Sequence, residues 1–354
     1  MEWWARRDAP LPTLRALAFI SLAGAQAVAY INAMILAREQ PMQLTGIHHL
    51  TAISARPRDN LAFYSGLLGL RLVKKTVNQD DVSAYHLFYA DGKGSPGSDI
   101  TFFDFPLPPQ RRGTNSIART ALRVAGEATL TFWRERLKQA GGVVGDISEV
   151  DGRLTLPFED GEGQRLALID DGGVGPSSPW ARSAVPAEHQ VRGLGPITLN
   201  VRELERTALV LTEVMNMRRV RDYATADGEA HVFAMGEGGP AAELHVIGTK
   251  EMPLARQGAG GVHHVAFRTP DEAQYHAWTA RLDELRIPNS GEIDRFYFRS
   301  LYFREPNGIL FEIATDGPGF ASDEPIDKLG EKLALPPFLE PRRAEIEAGL
   351  KPLD

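Results

Sequence analysis

The feature that most restricts the fold of this 354-residue chain is an internal repeat. One pattern, a strand followed by a helix and three more strands, occurs in segments that begin near Leu44, Ser116, Gly195 and Gly260. Alternating or continuously apolar runs mark the strands, and Gly, Pro and Asn mark the turns between them. Repetition of one supersecondary unit governs the architecture of a whole chain. The sequence therefore predicts an α+β protein of four βαβββ modules, numbered 1 to 4 in chain order.

Glycine and proline divide these modules into two halves. Gly172, Gly173 and Pro176 fall between the last strand of module 2 and the first strand of module 3. Clusters of these residues are typical of linkers. The predicted parts are an N-terminal domain of modules 1 and 2 (42–175), a linker (176–191), a C-terminal domain of modules 3 and 4 (192–320) and a charged tail (321–354), helical near 342–350.

Residues 1–41 differ in composition from the rest of the chain. Residues 16–36 are largely apolar and uncharged, and Arg15 and Arg38 flank them. A segment of roughly twenty apolar residues reaches the length of a membrane span, but polar side chains within it weaken insertion, and no cleavage site of a signal peptide ends it. The extension is therefore disordered or reflects a start assigned too far upstream, with Met42 as the functional first residue. The alternatives are a weak membrane anchor or an added helix.

Bulk composition narrows the classes of function. The net charge is −7 and basic residues do not cluster, which argues against a nucleic-acid partner. The chain has no cysteine, so disulfides and thiolate metal sites are excluded, and a metal must be held by histidine and carboxylate. This composition suits a cytoplasmic protein outside the membrane. The composition does not decide whether the protein forms a homo-oligomer.

Two pairs of adjacent histidines stand on equivalent first strands. His48-His49 lies in module 1 and His263-His264 in module 4, each after Gly and a branched apolar residue, although the chain has only nine histidines. A carboxylate, Glu312, lies on the last strand of module 4. Two imidazoles and one carboxylate with open positions are the ligand set of oxygen-activating Fe(II) enzymes, and Zn(II) would fit the ligands without passing electrons to oxygen.

Strand alternation selects among these candidates, because adjacent residues of a strand face opposite ways. His264 shares its face with Ala266, which leaves room for a cavity, whereas His263 shares its face with bulky residues. Glu312 shares its face with Ala314 and would be costly to bury as an anion without a cation beside it. For the first pair, alternation does not decide between His48 and His49.

Several motifs carry a resemblance to a known family. The Gly-(Ile/Val)-His-His motif of modules 1 and 4, and the helix residues 61–64 followed by residues 67–70, resemble the vicinal oxygen chelate superfamily, which includes glyoxalase I and extradiol dioxygenases. More narrowly, residues 85–91, 113–115 and 311–315 are similar to ring-cleaving dioxygenases that act on hydroquinones. The resemblance covers the chain from module 1 through module 4. It implies two domains of paired modules with open, β-barrel-like sheets.

The resemblance also implies the ligands of a metal. The second histidine of each pair and the glutamate of the last strand match that family's ligands, which are here His49, His264 and Glu312. The metal implied is Fe(II), with Mn(II) as its main substitute. The partners implied are a small aromatic substrate and O2.

Four further residues match that family's substrate-binding and neighbouring positions. Arg295 is expected to hold a phenolate oxygen or an acidic ring substituent. Tyr302 is expected to donate a hydrogen bond to bound oxygen. His48 and His263 are expected to act as acid or base near neutral pH.

Some residues keep two interpretations. Phe296, Tyr297 and Phe298 either line a pocket for a planar ring or belong to the core. His86 lies either close to the metal or in the core.

The function expected is Fe(II)-dependent cleavage of a para-diol ring by O2. A glyoxalase-like lyase or isomerase is the first alternative, but such enzymes typically use more carboxylate ligands than the single Glu312. A metal-free binding protein of the same superfamily is the second, but such chains are generally short and lack the ligand set. No Gly-rich phosphate loop precedes a helix, so no nucleotide cofactor is expected.

Overall fold

The computed structural model describes residues 42–353. The expectations for residues 1–41 lie outside the described residues. Modules 1 and 2 contain these elements: β1 (Ile47–Ser54), α1 (Pro57–Leu61, extended by a π-helical turn Ala62–Leu67), β2 (Arg71–Val77), β3 (Tyr85–Ala90), β4 (Asp99–Asp104), β5 (Ser116–Val124), α2 (Glu127–Gln139), β6 (Ser148–Val150), β7 (Arg153–Glu159) and β8 (Arg165–Asp170).

Modules 3 and 4 repeat the same order. Their elements are β9 (Gly193–Val201), α3 (Leu204–Leu209, extended by a π-helical turn Val210–Val214), β10 (Arg218–Thr225), β11 (Gly228–Ala234), β12 (Glu243–Gly248), β13 (Val262–Thr269), α4 (Glu272–Glu284), β14 (Asn289–Asp294), β15 (Phe298–Arg304) and β16 (Leu310–Pro318). The α+β class and the four βαβββ modules are therefore confirmed. A short helix α5 (Arg343–Gly349) follows in the tail, as predicted.

The modules form two eight-stranded sheets with the same internal order. Sheet 1 runs β14-β15-β16-β13-β1-β4-β3-β2, and sheet 2 runs β10-β11-β12-β9-β5-β8-β7-β6. Sheet 1 therefore joins modules 1 and 4, and sheet 2 joins modules 2 and 3. The sequence predicts that modules 1 and 2 (42–175) form one domain and modules 3 and 4 (192–320) the other. The sheets instead pair the outer two modules and the inner two modules. The boundaries of the linker stay predictions.

The physical reason for this pairing lies in the first strands of the modules. In sheet 1, β1 pairs antiparallel with β13, and in sheet 2, β5 pairs antiparallel with β9. Every residue of β1 is buried, so this strand needs neighbours on both edges and cover on both faces. Because loop-closure entropy grows slowly with length, pairing across a long stretch of chain is tolerated.

Helices cover the outer faces of the sheets. Trp133 of α2 and Trp278 of α4 are fully buried against them. The start of α4 is set by Asp271, whose Oδ1 accepts a hydrogen bond from the Gln274 backbone N–H at 2.8 Å. Within residues 42–353, no helix is both long enough and apolar enough to cross a membrane.

The tail runs along the free edge of sheet 1. The Arg71 guanidinium on β2 donates to the Ile326 carbonyl at 2.8 Å, and the Ala334 N–H donates to the Lys75 carbonyl at 2.9 Å. Helix α5 then packs Ile346 into a small apolar cluster. The tail thereby covers an edge strand that would otherwise expose unpaired backbone groups.

Candidate metal centre

Three neighbouring strands of sheet 1 bring the expected ligands together. In the β1–β13 pairing Thr51 lies opposite His264, and a bulge between Ile47 and His49 shifts the register. In the parallel β13–β16 pairing Ala266 lies opposite Glu312. Three side chains from distant parts of the chain therefore project from the middle of the sheet toward one point.

The three ligand atoms form a compact triangle. His264 Nε2 lies 2.9 Å from Glu312 Oε2, His49 Nε2 lies 3.2 Å from the same oxygen, and the two Nε2 atoms are 3.4 Å apart. Ligand atoms about 2.1 Å from one ion at right angles are separated by about 3 Å. The triangle therefore has the size of three neighbouring positions around a divalent metal.

The carboxylate supports the same interpretation. Glu312 is fully buried; its Oε1 accepts a hydrogen bond from Ser300 Oγ at 2.5 Å, whereas its Oε2 accepts none from the described residues. Burial by itself raises the pKa of Glu312, but the His49 and His264 imidazoles hold it well below its usual value, so the group is an anion. A buried anion with one oxygen unbonded is costly unless a cation lies beside it. These residues fit a divalent metal.

The first histidine of each pair lies behind the second. His48 Nδ1 and His49 Nδ1 are 2.8 Å apart, and His263 Nδ1 and His264 Nδ1 are also 2.8 Å apart. One nitrogen of each contact must carry the proton. If the second histidine donates, its Nε2 keeps a lone pair directed at the triangle, as a metal ligand requires.

The pKa values of His48 and His263 argue against the expected role as acid or base near neutral pH, which itself stays a prediction. Burial lowers the pKa of each to about 3, with the neighbouring imidazole as the next cause, so both rings are neutral at pH 7. Neither lines the cavity beside the triangle. Their contacts suit them to hold the ligand rings in one tautomer.

A cavity of about 460 Å³, counted to its open mouth, lies against the His49 and His264 rings. Aromatic side chains from modules 1 and 4 form its walls, namely Phe88, Phe103, Tyr297, Phe298 and Tyr302. Of the aromatic residues with two interpretations, Tyr297 and Phe298 line the cavity and also belong to a buried core cluster, and Phe296 packs against that cluster. The cavity therefore offers flat apolar surfaces next to the three ligand atoms.

Arg295 and Tyr302 bring polar groups to the same cavity. The Arg295 guanidinium lies 5.4 Å from the centre of the Tyr302 ring, and its Nη2 lies 3.0 Å from Asp80 Oδ2. Burial raises the pKa of Tyr302 above its ordinary value, and the nearby Glu312 adds to the effect, so the phenol keeps its proton. Phe296, in the turn that carries Arg295, has a φ of 71°, which is rare for a bulky residue.

Reasoning from the sequence missed one wall of the cavity. Residues 76–80, at the end of β2 and in the loop after it, line the wall next to Arg295, and Gln79 Nε2 donates to the Arg295 carbonyl at 2.9 Å. No local signal in the loop indicates this contact, because it depends on the pairing of modules 1 and 4. His86, for which the sequence left two interpretations, lines the cavity, with Nε2 2.9 Å from Thr101 Oγ1. Its alternation with the core residue Leu87 could have indicated this.

Comparison with known proteins agrees with this architecture. The model of the Glyoxalase/Bleomycin resistance protein/Dioxygenase superfamily matches residues 46–168 and 193–313. The "Putative ring-cleaving dioxygenase MhqA" of Bacillus subtilis (strain 168) is 48% identical over 315 residues, covering 88% of this chain and 100% of that protein. The "Chlorohydroquinone/hydroquinone 1,2-dioxygenase" of Sphingobium indicum is 31% identical over 313 residues, covering 86% of this chain and 96% of that protein.

A solved structure is similar over almost the same length. The crystal structure of a "putative dioxygenase" from Bacillus subtilis has a TM-score of 0.82 at 35% identity, covering 89% of this chain and 99% of that chain. The family match spans both sheets, including the strands that carry the two histidine pairs. This chain is therefore a member of the glyoxalase, bleomycin resistance protein and dioxygenase superfamily.

Proposed function

We propose that this protein is an Fe(II)-dependent dioxygenase that cleaves hydroquinone-type, para-diol aromatic rings with O2. The observation that carries the proposal is the triangle of His49 Nε2, His264 Nε2 and Glu312 Oε2, with sides of 2.9–3.4 Å, beside an aromatic-lined cavity. The relatives, which are named ring-cleaving dioxygenases, support an enzyme of the dioxygenase type. Two imidazoles and one carboxylate suit Fe(II) best, with Mn(II) as a substitute.

The chemistry of the cavity suits a small aromatic substrate. A bound Fe(II) ion supplies the electrons that oxygen activation requires and a positive charge beside the ring hydroxyl. Phe298 lies with its ring centre 5.1 Å from that of His49, so a planar substrate would be held between aromatic surfaces close to the ligands. The apolar walls exclude water from the reacting ring.

The polar residues have separate tasks in this proposal. Tyr302, as a neutral phenol, donates a hydrogen bond to an oxygen of the substrate. Arg295 supplies a fixed positive charge that attracts a phenolate, and Asp80 holds the guanidinium in place. His48 and His263 hold the ligand rings and do not exchange protons with the substrate.

The number of carboxylates distinguishes this proposal from a glyoxalase-like reaction. Around the triangle, Glu312 is the one carboxylate within ligand distance among residues 42–353. The glyoxalase-like alternative expects more, and no observation on the described residues favours it.

The test is oxygen uptake by the full-length protein, purified without oxygen and loaded with Fe(II). We expect hydroquinone to be consumed in equimolar amounts with O2, and the same protein loaded with Zn(II) to consume none, because Zn(II) cannot donate electrons. Uptake with catechol but not with hydroquinone would reject the para-diol assignment. Conversion of a hemithioacetal without oxygen uptake would reject the dioxygenase in favour of a lyase.

A further inference from the structure

Sheet 2 repeats the strand order of sheet 1, which carries the candidate metal centre, with a different residue at the position of a proposed ligand. In sheet 1, the β1–β13 pairing has a bulge between Ile47 and His49. In sheet 2, the β5–β9 pairing has a bulge between Ile117 and Arg119. The two sheets have the same strand order. Arg119 therefore occupies in sheet 2 the place that His49 occupies in sheet 1.

A second arginine lies beside Arg119. In sheet 1, His49 pairs with Asp99 of the neighbouring parallel strand. In sheet 2, the parallel β5–β8 register pairs Thr120 with Leu166, so one residue earlier Arg119 and Arg165 are side by side. Paired residues of neighbouring strands project from the same face of a sheet. Two guanidinium groups thus leave the sheet together.

The neighbours of this pair on the same face include short side chains. Two residues further along each strand, on the same face, are Ala121 and Ala167, which form a small apolar cluster with Ile169. On the other side, Arg119 pairs with Thr198 of β9, which adds a hydroxyl group. Short side chains beside the two cations are compatible with a small ligand that contacts both.

The two cations lack partners among the described residues. Neither guanidinium forms a hydrogen bond or an ion pair there, and the Arg165 Nε is fully buried without an acceptor. Burial lowers the pKa of both arginines, and the charges of Arg112 and Arg119 lower that of Arg165 further. Glu159 and Asp227 act on the pair only at longer range, and Glu159 is held by Arg112 at 2.6 Å.

Several other arginines of sheet 2 have carboxylate partners. Arg153 Nη1 lies 2.7 Å from Glu243 Oε2, and Arg123 Nη1 lies 3.0 Å from Asp171 Oδ2. Two like charges side by side on neighbouring strands destabilise a sheet. Arg119 and Arg165 therefore differ from these paired arginines, and a bound anion would remove the repulsion between them.

We propose that Arg119 and Arg165 form a binding site for a small oxyanion, a carboxylate or phosphate group, at the position in sheet 2 that corresponds to the metal ligand of sheet 1. Arginine presents a planar fork of N–H donors that binds the oxygens of either group in pairs. The site requires no covalent step and no metal, and it does not depend on the proposed dioxygenase activity.

The experiment measures anion binding to the full-length protein at constant ionic strength. Sodium phosphate and sodium malonate are the probes, with chloride as the reference salt, followed by calorimetric titration and by Tm. For the wild type we expect saturable binding of at least one probe and a rise in Tm. In Arg119→Gln and Arg165→Gln, binding should be at least tenfold weaker, and the Tm without anion should rise by about 2–4 °C because the repulsion is relieved.

The matched control is Arg299→Gln, which removes an equal charge from β15 of sheet 1, where Arg299 is paired with Glu272 at 3.0 Å. This variant should bind the probes as the wild type does. Tighter binding of phosphate than of malonate would assign a phosphate group, and the reverse order a carboxylate. Equal responses in the wild type and both sheet 2 variants, or no response of the wild type to either probe, would overturn the proposal. If one variant fails to fold, the other carries the same test.

Discussion

The Nδ1 atoms of His48 and His49 lie 2.8 Å apart, so one ring must donate a proton to the other. If His49 Nδ1 carries the proton and donates it to His48, the Nε2 of His49 keeps a lone pair that can bind the metal. We expect His48→Leu to keep the fold, because an apolar residue of similar size replaces a buried ring. Fe(II) affinity, measured by anaerobic titration of the metal-free protein, should fall roughly 10- to 100-fold.

The control for this variant is His276→Leu on α4, where the imidazole is exposed and bonded to Glu292 at 2.6 Å. It should leave Fe(II) affinity unchanged. Wild-type affinity in His48→Leu would mean that the contact between the two rings does not set the tautomer of His49.

Glu312→Gln keeps the shape of the side chain and the hydrogen bond from Ser300 but removes the negative charge. Removal of a residue that only orients a metal ligand lowers metal affinity roughly 10- to 100-fold. Removal of the ligand itself should have a larger effect, so we expect Fe(II) affinity to fall by more than roughly 100-fold. Metal analysis after gel filtration measures it. Glu305→Gln is the matched control, because Glu305 is also buried but accepts from Thr207 Oγ1 at 2.6 Å, away from the triangle. Retention of stoichiometric iron by Glu312→Gln would contradict the ligand assignment.

Tyr302→Phe removes a hydrogen-bond donor from the cavity wall. A hydrogen bond to a charged oxygen contributes about 1.5–3 kcal/mol, so kcat/KM for hydroquinone should fall roughly 10- to 100-fold while bound iron stays unchanged. Tyr89→Phe is the control, because the Tyr89 hydroxyl is buried and bonds no described residue. Similar losses in both variants would mean that the effect of Tyr302 is structural.

Strand alternation in the sequence is enough to predict part of this site. It places His264 with Ala266 and Glu312 with Ala314, on faces with room for a cavity, and the fold brings His264 Nε2 within 2.9 Å of Glu312 Oε2. Alternation does not decide between His48 and His49, because both have apolar neighbours on their faces. There the family resemblance is needed, since bulges in the register of β1 break strict alternation.

The pairing of modules cannot be derived from local pattern. Strands β1 and β5 both begin a module, and the strand pattern alone does not indicate whether the partner of each is β13 or β9. Only the histidine pairs, read as ligands of one metal, connect β1 with β13. The choice depends on the total surface buried between distant strands. The loop at residues 78–80 lines the cavity, and the tail packs against residues of its wall. Neither position can be predicted from the local sequence, because both depend on which modules pair.

We expect Glu243 to make a pH-dependent contribution to the free energy of unfolding. Burial by itself raises the pKa of Glu243, but His245, Arg153 and Arg221 hold it well below its usual value. A folded-state pKa below the unfolded value stabilises the fold above about pH 4, and this stabilisation is lost as the pH falls. Glu243→Gln should therefore lower the free energy of unfolding by about 3–5 kcal/mol at pH 7. The difference from the wild type should shrink below about pH 4.

Urea unfolding at several pH values measures this difference. Glu237→Gln, an exposed position in the turn between β11 and β12, should have the wild-type free energy of unfolding at every pH. A deficit in Glu243→Gln that stays constant with pH would show that the ion pairs are not its source.

The tail reaches the cavity through a charge cluster around a buried lysine. Lys74 on β2 is fully buried, and its Nζ lies 2.7 Å from Asp323 Oδ1 and also contacts Glu324. Asp323 Oδ2 accepts a hydrogen bond from the Tyr297 hydroxyl at 2.8 Å. Since Tyr297 lines the cavity, one tail carboxylate holds both a buried cation and part of the substrate wall.

Asp323→Asn keeps the shape of this contact but removes one of the two charges that face Lys74. Because Glu324 still faces the ammonium group, we expect the free energy of unfolding to fall by only about 1–3 kcal/mol. The looser Tyr297 should raise KM for hydroquinone several-fold, with bound iron unchanged and a smaller effect on kcat. Asp327→Asn, an exposed tail position, is the control for the loss of one charge. If Asp323→Asn lost stability without any change in KM, the tail would be a clamp on β2 alone, without influence on the cavity.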